Sequence, residues 1–190
     1  MLINLHACTV GEEILDAVPN GVVVSEVVIR ELSHQTSRNN GEYEFIQGLV
    51  SRGKLEPVPL DGKGFEIFQA LISGTASIGD GEAATIAIAA SQRFVPVIDD
   101  GKGRAQAEST IKKAQPAWSL DLFLHPRVQA ELAGGKYVDA IHLALREGRM
   151  RIDEKRCNAV VNLIGVERAK LCVSLPGYKQ LLRGWEQKKC

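Results

Sequence analysis

The chain has 190 residues, of which 45% are hydrophobic and 24% are charged, which suffices for one domain with a sizeable core or for a domain with a small extension. Its 23 basic and 23 acidic residues balance, which excludes a strongly basic, histone-like nucleic-acid binder and a highly charged disordered tail. The charges are unevenly spread, because residues 1–100 hold 14 acidic and 6 basic residues, whereas residues 151–190 hold 4 acidic and 9 basic ones. This asymmetry indicates an acidic site in one part of the chain and a basic flank in the other.

The sequence carries no sign of a membrane span or of a secretion signal. No apolar run reaches the roughly 20 residues that a membrane helix requires, and the first residues lack the basic flank of a signal peptide. The cysteines have neither CxxC nor zinc-finger spacing, so we interpret them as thiols in a reducing cytosol. They are Cys8, Cys157, Cys172 and Cys190. We therefore expect a cytoplasmic protein.

Short apolar runs alternate with segments of helical spacing. In chain order, the runs predict strands over residues 2–5, 22–24, 55–60 and 95–98. Helices are predicted over 12–18, from the cap Ser25 to the break at 39–41, and over 43–50, 65–72, 83–90, 102–113 and 138–147. Beyond these, 158–164 is a short apolar segment and 165–190 is a basic, partly helical tail. The alternation predicts an α/β fold with a mostly parallel sheet.

One acidic residue occupies an unusual position. Glu82 lies in the first turn of a predicted helix whose apolar part covers residues 83–90, and this helix is apolar nearly all round and is therefore expected to be buried. A carboxylate there is costly unless it is paired or binds a metal ion. The alternative is that Glu82, like Asp80 beside it, complements the helix dipole, and taken alone Glu82 favours this alternative.

Two further acids follow a predicted strand directly. Asp99 and Asp100 come at its carboxyl end, where ligands bind in open α/β sheets, and hard cations such as Mg²⁺ prefer oxygen ligands. The alternative is an ordinary turn in which Asp100 caps the next helix. Glu31 alone would be a surface residue, but together these acids form a set at the ends of core elements.

Two basic residues adjoin this acidic pair. Lys102 and Arg104 could hold a phosphate beside a metal cluster. The alternative is ordinary charge on a helix surface, and this alternative is strong for Lys102.

Several of these segments resemble motifs of the PIN domain, in the order that the family has them. Residues 81–89 (GEAATIAIA) are similar to its GEAEAIALA helix, and residues 98–104 (IDDGKGR) to its IDDxxGR motif. The other similar segments are 2–5 (LINL), the end of the family's D-T-S-x-L-I-N-L motif, and 25–32 and 139–148. The resemblance implies a PIN-like three-layer α/β/α sandwich over residues 1–152, with a mostly parallel central sheet. A basic, helical C-terminal extension would cover residues 153–190.

The resemblance also implies an activity and a site. PIN domains are typically metal-dependent endoribonucleases and include the VapC-like toxins of toxin–antitoxin pairs. By this analogy Mg²⁺ or Mn²⁺ would be held by the catalytic residues Glu31, Glu82, Asp99 and Asp100, and would activate a water for in-line attack that leaves a 5′-phosphate and a 3′-hydroxyl. Lys102 and Arg104 would bind the substrate phosphates, and Asn4 and Asp80 would orient the ligands. The implied partners are RNA, an antitoxin protein and a second copy of the chain in a homodimer.

The chain departs from the family pattern at the first motif. The family's first aspartate would precede Leu2, and Met1 stands there instead. We therefore expect impaired hydrolysis by the chain as it stands, and rescue by an upstream Asp-Thr-Ser segment if the start lies further upstream. Two rival hypotheses are a non-catalytic PIN-like module that binds RNA or a protein partner, and a hydrolase of another phosphate ester.

Overall fold

The computed structural model describes residues 1–74, 78–112 and 115–187. The strands in these ranges are β1 (Val23–Ser25) and β2 (Glu56–Val58). The helices are α1 (Leu2–Ala7), α2 (Gly11–Ala17), α3 (Glu26–Leu32), α4 (Gln35–Asn39), α5 (Glu42–Ser51), α6 (Gly62–Ile72), α7 (Asp80–Gln92), α8 (Gly101–Thr110), α9 (Ser119–Phe123), α10 (Pro126–Leu132), α11 (Gly134–Arg146), α12 (Glu154–Ile164), α13 (Val166–Ala169) and α14 (Tyr178–Gln187).

The chain divides into two compact units. The first unit combines Met1–Val18 with Trp118–Cys190, and the second unit is the continuous segment Pro19–Ala117. The division predicted from the sequence, with a boundary between residues 152 and 153, concerns where a PIN-like domain ends and stays a prediction.

The second unit is built around helix α7 and a short parallel sheet. Strands β1 and β2 pair in parallel with Val24 opposite Pro57, which confirms the strands predicted near these positions. Helix α7 packs against α3, α6, α8 and β1. Its buried residues Ala83 and Ile86 join Leu71 of α6 and Ala107 of α8 in one apolar cluster. This packing explains why α7 is apolar nearly all round, as the sequence predicted.

Local signals set the ends of several helices in the second unit. Ser25 caps α3, because its Oγ accepts a hydrogen bond from the Val27 N–H over 3.1 Å, as predicted. Gly41, with φ at 75°, confirms the predicted break at 39–41. The helix predicted from Ser25 to this break is interrupted at Ser33 and His34, so it forms the two helices α3 and α4. Helix α8 ends at Thr110, earlier than the predicted residue 113. Residue 113 lies outside the described residues, as does Cys190.

Two strand predictions were wrong. Residues 2–5 begin helix α1, because the buried side chains Leu2, Leu5 and Cys8 recur at a spacing of three and share a helical face. Residues 95–98 form only an isolated parallel bridge between Val97 and Ala117. Pro96 has no N–H to extend the pairing, and its carbonyl accepts the N–H of Ala117 over 2.9 Å.

The described residues are therefore mostly helical, with a two-stranded parallel sheet. The α/β class and the parallel pairing are confirmed in this coarse form. The larger central sheet is not formed by the described residues, because two of its four predicted strands are absent. The three-layer α/β/α sandwich stays a prediction.

The first unit is helical throughout its described part. Helix α1 packs on α2 and α11, α2 packs on α10, and α12 packs on α11 and α13. The helix predicted over residues 138–147 is confirmed as α11, and α13 and α14 confirm the partly helical tail. Arg156 ties this unit together, since its guanidinium donates to the carboxylates of Asp153, the N-cap of α12, and of Asp121 in α9.

None of the described helices is both long and apolar enough to cross a membrane. Cys8, Cys157 and Cys172 are buried free thiols. Burial raises the pKa of the Cys8 and Cys172 thiols to about 11, so both are inert as nucleophiles at neutral pH.

Candidate functional site

Glu31 lies in the last turn of α3, at the amino end of α7. Its Oε1 accepts a hydrogen bond from the backbone N–H of Gly81 over 2.9 Å. A Cβ built on Gly81 would overlap the other carboxylate oxygen of Glu31 and would lie 3.2 Å from Cγ2 of Val28. An alanine at position 81 would therefore require the end of the Glu31 side chain to shift, and the amino end of the α7 dipole favours a negative charge at its present place.

Glu82 follows Gly81 and turns toward helix α8. A Cβ built on Gly103 would lie 3.1 Å from both Cδ and Oε1 of Glu82, and 3.0 Å from Cγ2 of Ile98. The glutamate therefore rests directly on the backbone of α8. A second buried glycine thus makes room for a second carboxylate.

Asp99 and Asp100 connect Ile98 to α8. Asp100 is the N-cap of α8, because its Oδ1 accepts hydrogen bonds from the N–H groups of Lys102 over 2.9 Å and of Gly103 over 3.3 Å. Asp100 therefore caps the helix, as the alternative interpretation of the sequence predicted. The same carboxylate can still contact a metal ion. Asp99 precedes it and is half-buried.

Arg104 turns inward from α8 and binds backbone carbonyls. Its Nη1 donates to the carbonyls of Ile98 over 2.9 Å and of Ala117 over 3.0 Å, and its Nη2 donates to that of Pro116 over 2.7 Å. The guanidinium thereby fastens the bridge that precedes Asp99. The structure gives Arg104 a positioning role, and its predicted contact with a phosphate stays a prediction.

The remaining predicted residues lie in different places. Lys102 is exposed in the first turn of α8, and Asp80 is exposed at the start of α7. Asn4 belongs to the first unit, where it is buried and its Nδ2 donates to Oγ of Ser119 over 3.1 Å. The second unit thus holds all the predicted site residues except Asn4.

The carboxylates of the second unit have the right chemistry for Mg²⁺ or Mn²⁺, since both ions prefer oxygen ligands. Within the ranges 1–74, 78–112 and 115–187, however, no three acidic, histidine or cysteine side chains lie close enough together to hold a metal ion. The oxygen atoms of these carboxylates therefore suit a divalent ion in their chemistry, but the described side chains are not gathered closely enough to coordinate one.

A groove of about 470 Å³ opens beside Glu31 in the second unit. Helix α3 supplies one wall, which includes Glu26, Arg30 and Glu31, and His34 between α3 and α4 extends this wall. The loop after β2 and the first turns of α6 supply the opposite wall, which includes Phe65 and Phe68, and Asp80 also lines the groove.

Comparison with protein families identifies the family of the chain. A family model of the PIN domain matches residues 1–166. The chain belongs to the PIN-domain family. This confirms the resemblance drawn from the motifs, and it extends the similarity past residue 152. The search of curated proteins gave no significant match. The search of solved structures gave none either.

In this PIN domain, the glycines of the two motifs have a function that sequence reasoning missed. Gly81 opens the GEAATIAIA segment and Gly103 lies in IDDGKGR, and each provides space for a glutamate. A glycine inside a helix costs about 0.5–1 kcal/mol relative to alanine, and this cost is the signal that could have revealed both positions. The groove residues Arg30, His34 and Phe65 of this PIN domain were also missed, because helical spacing alone does not distinguish an exposed phenylalanine from a core one.

Proposed function

We propose that this PIN domain is a ribonuclease that hydrolyses RNA phosphodiesters with the help of Mg²⁺ or Mn²⁺. Glu31, Glu82, Asp99 and Asp100 would hold the ion. The proposal includes the three-layer sandwich typical of the family and a role as the toxin of a toxin–antitoxin pair, with an antitoxin protein and a second copy of the chain as partners.

The observation that carries the proposal is a series of contacts between acidic side chains and the first turns of α7 and α8. Glu31 binds the N–H of Gly81, Glu82 follows and packs on Gly103, and the N–H of Gly103 binds Asp100. Acidic residues that lie far apart in the sequence are thereby joined through two shared glycines.

The local electrostatics support the same proposal. The amino ends of α7 and α8 carry partial positive charge, which offsets the repulsion between neighbouring carboxylates. Arg104 adds a full positive charge close behind Asp99, and its three carbonyl contacts fix the backbone from which Asp99 and Asp100 project. These positive charges thus favour negative charge at the starts of α7 and α8 and at Asp99.

A divalent ion, when bound, would lower the pKa of a coordinated water and stabilise charge on the scissile phosphate. The chain's own carboxylates supply the oxygen donors, and Lys102, exposed on α8, supplies a mobile cation for the RNA backbone.

A second candidate is a module that binds RNA or a protein partner without hydrolysis. It is favoured by the fact that the described carboxylates do not gather into a group of three suited to a metal ion. The two candidates differ in whether the chain binds the ion at all.

Calorimetric titration with Mn²⁺, together with cleavage of a labelled RNA, tests the proposal. We expect the wild-type chain to bind Mn²⁺ and to cleave only in its presence. Glu31→Gln should weaken both properties, whereas Glu66→Gln, an exposed acid of α6 outside the groove, should change neither. A chain that neither binds Mn²⁺ nor is stabilised by it would contradict the nuclease proposal, and RNA binding under those conditions would favour the module.

The toxin role needs a separate measurement. Expression of the wild-type chain in bacteria should arrest growth, and expression of the Glu31→Gln variant should not. Normal growth at equal protein levels would contradict the toxin role and leave the nuclease proposal intact.

A further inference from the structure

Helix α14 carries an apolar face that its own molecule leaves partly open. Four apolar side chains recur at positions i, i+3, i+4 and i+7 of the helix and therefore share one face. They are Tyr178, Leu181, Leu182 and Trp185, and each is only half-buried. Every other described helix of ten or more residues has buried residues, whereas α14 has none. This face can therefore contact a further apolar surface.

The polar face of α14 is basic. Lys179 and Arg183 are exposed and lie four positions apart, and neither forms an ion pair within the described ranges. Glu186 is the only acidic residue of the helix, and the sequence continues with Lys188 and Lys189. A basic amphipathic helix is typical of segments that bind an acidic, apolar groove or the surface of an anionic membrane.

The groove between α3 and α6 of the second unit is lined mainly by acidic and apolar side chains. The carboxylates of Glu26, Glu31 and Asp80 line it, against the single arginine Arg30. Among the described residues, neither Glu26 nor Asp80 forms an ion pair. The groove therefore favours a ligand that carries more than one positive charge.

The apolar part of the groove is open to solvent. Phe65 of α6 is 48% exposed and stacks on Phe68, with the ring centroids 6.5 Å apart. Val27 and Leu60 also line the groove. An amphipathic helix bound there would remove Phe65 from water, and the burial of an aromatic side chain favours association.

The groove and α14 complement each other in charge as well as in apolar character. Lys179 and Arg183 can pair with the carboxylates of the groove, and Glu186 can pair with Arg30. An anionic membrane would match the cations of the helix but would leave the acidic groove without a ligand.

We propose that α14 of one molecule binds in the groove between α3 and α6 of a second copy of the chain, with Trp185 and its apolar neighbours against Phe65. Each molecule carries one helix and one groove, so the contact generates a closed ring, of which the dimer is the smallest, or a longer assembly. Glu31 lines the groove, so the bound helix also restricts access to this candidate metal ligand. The self-association stands without the proposed ribonuclease function, whereas the restriction of Glu31 rests on it.

Sedimentation velocity of the full chain over a range of concentrations measures the self-association. The mean mass of the wild-type protein should rise with concentration. Trp185→Ala and Phe65→Ala should each raise the dissociation constant at least about tenfold, as truncation of an aromatic anchor commonly does. The matched controls are Leu171→Ala and Phe94→Ala, because these side chains are 52% and 39% exposed and lie outside α14 and the groove. Both controls should associate like the wild type.

A mixture of the two variants tests the pairing of helix with groove. The Trp185→Ala variant keeps an intact groove, and the Phe65→Ala variant keeps an intact α14. An equimolar mixture should therefore associate more strongly than either variant alone. An interface between two copies of α14, or between two grooves, would give no such gain.

The charges have their own readout. Glu26→Lys and Arg183→Glu should each weaken the association at low salt, and their combination in one chain should restore part of it, because opposite charges face each other again. Glu66→Lys, at an exposed position of α6 outside the groove, is the control. Since Glu26 and Arg183 are exposed, these variants decide the matter if an aromatic variant proves misfolded by thermal unfolding.

The outcomes separate this contact from the ribonuclease proposal. A chain that stays monomeric at all concentrations, or associates equally well without Trp185 or Phe65, overturns the contact. A monomeric chain that binds phosphatidylserine vesicles through Trp185 also overturns it and assigns α14 to a membrane surface. If Trp185→Ala weakens the association without faster RNA cleavage in Mn²⁺, only the restriction of Glu31 is wrong. Association that depends on both aromatic residues, without cleavage by any variant, supports the contact and removes the ribonuclease.

Discussion

Glu31 accepts a hydrogen bond from the backbone N–H of Gly81 over 2.9 Å, across 50 positions of the chain. The contact joins the carboxyl end of α3 to the amino end of α7. In its present geometry the contact uses the space left by the glycine at position 81, since a Cβ there would lie 3.1 Å from Cδ of Glu31 and would overlap one of its carboxylate oxygens.

This relationship predicts the effect of Gly81→Ala. The new methyl group should displace the Glu31 carboxylate and lower the affinity for Mn²⁺ about 10- to 100-fold, as is typical when the support of a ligand is lost. Gly79→Ala is the control, because no atom lies within 4 Å of the Cβ it would add. Calorimetric titration compares the two variants. Equal Mn²⁺ affinities would show that the position of Glu31 has no bearing on metal binding.

Arg104 and Lys102 should respond differently to substitution. Arg104→Lys cannot maintain the hydrogen bonds to three carbonyl groups, and we expect the free energy of unfolding to fall by about 2–4 kcal/mol in urea denaturation. Lys102→Ala should leave the stability unchanged and weaken RNA binding. If Arg104→Lys instead weakened RNA binding at unchanged stability, the phosphate contact predicted from the sequence would be its principal role.

The charge of Asp153 should contribute to stability in a pH-dependent way. Burial alone would raise the pKa of Asp153, but hydrogen bonding to Arg156 and its positive charge outweigh burial, and the pKa falls below its usual 3.8. The ionised form is therefore favoured by folding, so its contribution is present above about pH 4 and is lost as the pH falls through the folded pKa.

Asp153→Asn isolates this charge, because asparagine can still cap α12. We expect a loss of about 1 kcal/mol at pH 7 that shrinks toward zero below pH 4, measured by urea denaturation at several pH values. Glu131→Gln on the exposed side of α10 is the control and should show no such difference. A loss that stayed constant down to pH 2 would mean that the charge is not its cause.

Ser119 should be required for the stability of the first unit. Its Oγ accepts a hydrogen bond from the buried Asn4 amide, and Ser119→Ala should lower the free energy of unfolding by about 1–3 kcal/mol. Ser73→Ala, at an exposed position, should have no effect. If Asn4 also orients a metal ligand, as the family resemblance implies, Mn²⁺ affinity should fall with Ser119→Ala. Unchanged affinity would restrict Asn4 to packing.

The helices with complete local signals were predictable from the sequence. Ser25 predicted the start of α3, and the apolar run after Gly81 predicted a buried helix. Both signals could be recognised because helix caps and hydrophobic periodicity involve only residues that are close in the sequence. The segments 2–5 and 95–98 were predicted wrongly because short apolar runs fit a strand and a buried helix equally well. Residues 2–5 lie in a helix whose residue Leu5 is buried. Residues 95–98 form only one bridge, because Pro96 has no N–H to extend the pairing.

The candidate site was predictable as a set of residues but not as an arrangement. The motifs identified the acids, and Asp100 indeed begins a helix, as its turn chemistry indicated. The side chain of Arg104 turns inward to carbonyl groups of residues 116 and 117. The residues next to Arg104 in the sequence give no sign of these contacts. Likewise, the exposure of Phe65 is a property of the assembled groove, because the residue has the helical spacing of a core position.

The way in which the first unit is divided along the chain affects how the protein is made. Helices α1 and α2 pack on α11 and α10, which are synthesised only after the whole second unit. Synthesis of the roughly 100 residues between them takes about 5–20 s at rates of roughly 5–20 residues per second. During this interval the apolar side chains of Leu5 and Ile14, fully buried in the finished protein, have no partners from the later helices. The nascent chain therefore exposes the apolar faces of α1 and α2, to which chaperones can bind. The continuous second unit can fold during the same interval.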